Sequence, residues 1–150
     1  MNGTVLVAVH DSPAAFAAAE EAIAHARRTG AALRAVAVVE PAGAGEDRDG
    51  SVARGRAAGC EAALAHVVER AGAAGIVATT ALRGGRIAAE ILAEADACGA
   101  SLIVVGRMDR PGHVIPAIGS HTLGVIEFAR SPVLVVPEDA PSAPRPRRPQ

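Results

Sequence analysis

Short runs of aliphatic and β-branched residues alternate along this chain with long alanine-rich stretches of helical period. "TVLVAV" (4–9) predicts a buried strand and "SPAAFAAAEEAIAHARRTG" (12–30) a helix. Ser12 stands at the N-cap of that helix, Pro13 in its first turn, Arg27 and Arg28 near its end, and Gly30 beyond it. A second strand follows in "ALRAVAVVE" (32–40), then a polar, glycine-rich loop (41–50) and a helix over 51–75 weakened by inner glycines. "IVATTAL" (76–82) predicts the third strand and "GGRIAAEILAEADACGA" (84–100) the third helix. "SLIVVG" (101–106) is the fourth strand, "GSHTLGVIEFAR" (119–130) a short helix and "SPVLVVP" (131–137) the fifth strand.

Strands apolar on both faces and joined by helices predict a parallel sheet covered on each side. In such a sheet ligands lie beyond the carboxyl ends of the strands, where successive connections diverge to opposite faces. Two stretches meet that description: "HDS" (10–12) after the first strand and "GRMDRPG" (106–112) after the fourth. The Pro- and Arg-rich residues 138–150 lack the apolar content to pack a core, which predicts a single domain over 1–137 followed by a disordered tail.

Composition narrows the chemistry. At 150 residues, with 50% of them hydrophobic and neither Trp nor Tyr, the core has to be built from Ala, Val, Leu and Ile. A formal charge of −1 provides no general attraction to nucleic acid or to an anionic membrane, so neither is expected as a partner. Arg supplies every strong positive charge, and the absence of Lys removes a P-loop lysine and Schiff-base chemistry. Cys60 and Cys98 have no C-x-x-C spacing and fit small buried thiols in a reducing cytoplasm. There is neither a signal-peptide pattern nor a long apolar run, which makes the cytoplasm the expected location.

Several catalytic patterns fail on geometry. His10, Asp11 and Ser12 are consecutive and cannot form a nucleophile–base–orienter triad, and Asp11 fits a turn or capping role. Ser120 directly follows Gly119, unlike the serine of a G-x-S-x-G elbow. A metal held by His10, Asp109, His113 and His121 would need odd spacings on loops, and no metal site is expected. A phosphoacceptor receiver domain would need an acidic cluster after the first strand and a later lysine.

Taken in order, "VLVAVHDSPAA", "GRIAAEILAEADACGASLIVVG" (85–106), "SPVLVVP" and the loop Gly106-x2-Asp109-x9-Gly119-Ser120 make residues 3–137 resemble the universal stress protein family. The nucleotide-binding branch of that family carries G-x2-G-x9-G-S/T, and three of those four positions survive here. The resemblance implies an α/β domain of the adenine-nucleotide alpha-hydrolase-like type, with a five-stranded parallel sheet of order 3-2-1-4-5 and helices on both faces. It also implies a homodimer through the last strand, residues 131–137. Carried over by position, Ala8, Val9, His10, Val38 and Val105 would line an adenosine pocket. Gly106, Met108, Asp109, Gly119, Ser120, His121 and Thr122 would form its phosphate side. The ligand would be ATP or another adenine nucleotide, accompanied by Mg²⁺. Independently of the resemblance, Gly106 lets the chain turn away from the strand, and Gly119 with Ser120 presents free N–H groups at a helix start. The hydroxyls of Ser120 and Thr122 are further donors, although a well-capped helix after a glycine turn would carry the same residues.

Two departures from the family pattern bear on function. His10 stands where the family has an aspartate that hydrogen-bonds the nucleoside, and Asp109 stands at the second glycine of the loop. A carboxylate ~4 Å from a phosphate charge costs about 4 kcal/mol at an effective dielectric near 20. A helix N-terminus returns only ~0.3–1 kcal/mol, so Asp109 weakens phosphate binding unless Arg107, Arg110 or a divalent cation offsets it. The two substitutions are either independent or a His10–Asp109 pair across the rim, which would raise the histidine's pKa and partly fill the pocket. Three functions remain open. The first is a stress-response binding or signalling module with weakened or altered nucleotide affinity. The second is a ligand-independent dimeric interaction protein with a closed pocket and an unknown protein partner. The third is a nucleotide hydrolase using His10 or His121, although no general base is evident.

Overall fold

Alanines spaced along the first helix set how closely it can approach the sheet. In the computed structural model, which describes residues 2–107 and 119–138, Ala15, Ala18, Ala19, Ala22 and Ala26 form a continuous buried stripe against Val5, Val7, Leu33 and Ala35. With only methyl groups on the helix side, helix and sheet pack closely, which explains how a core without Trp or Tyr is filled.

The described elements run β1 (Thr4–Ala8), α1 (Pro13–Thr29), β2 (Ala32–Val39), α2 (Ser51–Ala73), β3 (Ala78–Gly84), α3 (Ile87–Cys98), β4 (Ala100–Arg107), α4 (Ser120–Phe128) and β5 (Val133–Pro137). All strand pairs are parallel, and the order is β3-β2-β1-β4-β5. Leu6 of β1 lies opposite Arg34 of β2 and Ile103 of β4. One face of the sheet packs on α1 and α2, where Ala63, Leu64, Val67 and Ala71 extend the alanine-rich core. The other face, built from Leu6, Val36, Ile103 and Val105, packs on Ile91 and Ala95 of α3 and Val125 of α4. Among the described residues no helix is long and apolar enough to cross a membrane.

Capping follows the sequence at α1, where Ser12 Oγ accepts from the Ala15 N–H at 3.2 Å and Gly30 closes the helix with φ +72°. At α2 the cap comes from upstream. Both carboxylate oxygens of Asp47 accept first-turn N–H groups, from Val52 and Ala53 at 3.1 Å each.

Several boundaries differ from expectation by one to three residues, and for two of them the backbone gives the cause. The third strand begins at Ala78 rather than Ile76, because the Ile76 N–H donates to Ala71 O at 2.8 Å and finishes α2, leaving Val77 86% exposed. The third helix begins at Ile87 rather than Gly84. Gly84 still pairs with Val39, and Gly85, at φ +138°, donates to Val39 O before the chain leaves the sheet. The expected tail from Asp139 onward lies outside the described residues.

A charge cluster ties α3 to the sheet. Arg34 of β2 and Arg83 of β3 each donate to a different oxygen of Glu94, and Arg83 also donates to Glu90 at 2.9 Å. The Glu94 side chain is only 5% exposed. Burial pushes its carboxyl up, but hydrogen bonds from Arg34 and Arg83, reinforced by their charges, outweigh that and hold it below the usual glutamate value.

Candidate functional site

The sheet order places the carboxyl ends of β1 and β4 side by side, at the point where connections leave toward opposite faces. Val9 still bonds into the sheet through its N–H to Val36 O at 2.9 Å. The Ser12 N–H then donates to His10 O at 2.8 Å, forming a tight turn that leaves His10 and Asp11 exposed at the rim. Ser12 itself is buried and its hydroxyl caps α1, so it is not a nucleophile.

At the end of β4, Gly106 is fixed by packing. A Cβ there would stand 2.5 Å from Ala14 O and 2.7 Å from Ala14 C, so only glycine lets β4 lie against the first turn of α1. This corrects the expectation that Gly106 serves to turn the chain. Beyond the segment 108–118, Gly119 adopts φ +87°, a left-handed conformation that favours glycine, and starts α4. Thr122 Oγ1 donates to Gly106 O at 3.2 Å and ties the first turn of α4 to the end of β4. Its single hydroxyl proton is used within the fold, which leaves the oxygen as an acceptor. Ser120 is exposed, and its hydroxyl is available.

These elements enclose a cleft of about 570 Å³, within the range of small-molecule sites. Ala8, Val38 and Val105 give it an apolar floor, with Ile87 and Ile91 of α3 on one wall. His10, Gly106, Gly119, Ser120, His121 and Thr122 border it. Val9 does not, because strand alternation turns its side chain into the core under α1 and α2. Met108 and Asp109, and with them the His10–Asp109 pairing, lie outside the described residues.

Sequence reasoning missed the α2 side. Arg56, Gly59 and Cys60 line the cleft, together with Glu40 at the end of β2 and Asp11. Spacing carried the signal: 56, 59 and 60 share one helical face just after the carboxyl end of β2, as 87 and 91 do on α3. Arg56 is held by its Nη1, which donates to Glu40 O at 3.1 Å and Pro41 O at 3.0 Å. Cys60 donates to Val38 O at 3.5 Å, and burial, followed by the nearby Glu61, pushes its thiol up, away from a nucleophilic thiolate.

Although the His10 side chain reaches solvent at the rim, the protein packed around it hinders hydration of its charged form and lowers its pKa, the charge of His121 lowers it further, and Asp11 partly opposes both. Among the described residues no three His, Cys, Asp or Glu side chains converge as metal ligands.

The sequence model of the universal stress protein family matches residues 1–137. The universal stress protein UspA from Lactobacillus plantarum is 27% identical, with a TM-score of 0.78 over 90% of this chain and 97% of its own. A universal stress protein from Archaeoglobus fulgidus in complex with dAMP is 24% identical, with a TM-score of 0.68 over 91% of this chain and 99% of its own. A universal stress protein in complex with cAMP is likewise 24% identical at a TM-score of 0.68, over 89% of this chain and 96% of its own. No curated protein is similar enough to count as a relative.

Proposed function

The chain belongs to the universal stress protein family, and on that premise we propose that it is a cytoplasmic stress-response module that binds an adenine nucleotide without turning it over. One observation carries this reading: a cleft of about 570 Å³ joins an apolar floor to the amino end of α4 at the divergence of β1 and β4. The ring would rest on Ala8, Val38 and Val105, and the phosphates would face Gly119 and Ser120. Solved relatives of the same fold in complex with dAMP and cAMP support this class of ligand.

Asp109 weakens the affinity in this reading, since its carboxylate stands at a position where the family pattern has glycine. Titration calorimetry with ATP, ADP and AMP, with and without Mg²⁺, tests the reading, and absence of binding at millimolar nucleotide would end it. Asp109→Gly should tighten ATP binding by about tenfold or more, from the removal of one nearby like charge. An unchanged dissociation constant would show that repulsion is not the cause.

A homodimer through β5 belongs to the same proposal. That strand is at the edge of the sheet, its own Leu134 is exposed, and Leu123 (55%), Ile126 and Phe128 (68%) of α4 remain exposed as well. Leu134→Arg should shift the protein from dimer to monomer in sedimentation equilibrium. A dimer of unchanged affinity would place the interface elsewhere.

A further inference from the structure

We propose that His10 and His121 act together as a proton-linked clamp for the anionic part of the ligand, so that the cleft takes up protons as it binds a negatively charged nucleotide. This rests on the reading of the cleft as a nucleotide site, and it adds how that site is regulated. The two imidazoles come from different elements: His10 from the turn after β1, His121 from the first turn of α4. Both line the same cleft, and they are near enough for the charge of one to act on the other. The chain has no Lys at all, so histidine and arginine are the side chains that can bring positive charge to this rim.

The surroundings favour a neutral His10 when the cleft holds no anion. Its partial burial comes first and the charge of His121 second, with Asp11 on the adjoining turn acting the other way. Among the described residues the other charged groups lining the cleft are Glu40 at the end of β2 and Arg56 on α2, while α3 and β4 contribute the uncharged Ile87, Ile91, Val105 and Gly106. An anion seated between the two rings reverses the balance, because an adjacent negative charge favours imidazolium and offsets the repulsion between the rings. Since histidine titrates near neutrality, the exchange falls in the physiological range.

Cyclic AMP is the probe of choice, because its single phosphodiester charge stays constant across this range, and adenosine is its uncharged counterpart. Calorimetric titrations of the full chain between about pH 5.5 and 8.5, in buffers of different ionisation enthalpy and with chelator present, give affinity and protons taken up. The expected result is proton uptake with cyclic AMP and an affinity that falls as pH rises, by up to about tenfold per unit for each proton. Adenosine affinity should stay flat. His10→Asn and His121→Asn should each reduce the proton count and flatten the profile, and the double variant should abolish the dependence. Flat cyclic AMP affinity with adenosine still bound would overturn the clamp and leave the nucleotide reading intact. A slope that persists in the double variant, or binding that requires a transition metal, would also overturn it. Failure of both ligands to bind would remove the nucleotide reading and the clamp together.

Discussion

Glu94→Ala should destabilise the protein by about 2–3 kcal/mol in urea unfolding at neutral pH. Removing one partner from a fully buried ion pair typically costs 3–5 kcal/mol. Here Arg34 and Arg83 retain about 30% and 28% side-chain exposure and can recover some solvation, which reduces the figure. The loss has two components: α3 gives up its tie to β2 and one of its two ties to β3, and Arg34 loses the Glu94 carboxylate while Arg83 keeps only Glu90. The pH dependence has a definite sign. Because the folded state holds Glu94 below its ordinary value of 4.5, the contribution is fully present above that value and is lost as pH falls through the depressed folded pKa. Wild type and variant should therefore differ most near neutrality and converge in acid. A gap that persisted unchanged in acid would assign the effect to packing rather than to charge.

Gly106→Ala should cost about 2–3 kcal/mol and weaken ligand binding at the same time. The added Cβ meets backbone, Ala14 O and Ala14 C, rather than a side chain that can swing aside. Relief requires β4 and the first turn of α1 to separate. That movement also displaces Gly106 O, the acceptor for Thr122, and with it the start of α4. Gly55→Ala is the control. Its Cβ would meet nothing within 4 Å, and alanine in a helix interior is favoured by about 0.5–1 kcal/mol over glycine. Equal urea midpoints for the two variants would refute the packing argument at Gly106.

The sheet was legible because its signals are local. "TVLVAV" and "SLIVVG" are apolar on both faces, which only a covered parallel strand requires, and Ser12 and Gly30 mark the ends of α1. The edge strand β3 was displaced because its own pattern is weak and backbone bonds to Ala71 and Val39 decide where it begins and ends. Most of the cleft followed from the order of the elements. Its α2 wall did not, because Arg56 and Cys60 are remote in sequence from the loops that mark the site. Glu94 gave no local sign, since a glutamate in "AAEILAEADACG" suits a solvated helix face. The informative anomaly was Arg34, a lone charge inside an apolar strand, which is explained only once α3 is brought over it. Thr122 reads as a ligand donor in sequence, and only the structure reveals that its proton goes to Gly106 O.

The bond from Thr122 to Gly106 also bears on how the scaffold could be re-engineered. It couples the end of β4, seated on α1 through Ala14, to the head of α4. A redesign that moves either anchor is felt at the other, so strand end and helix head have to be re-engineered as one unit.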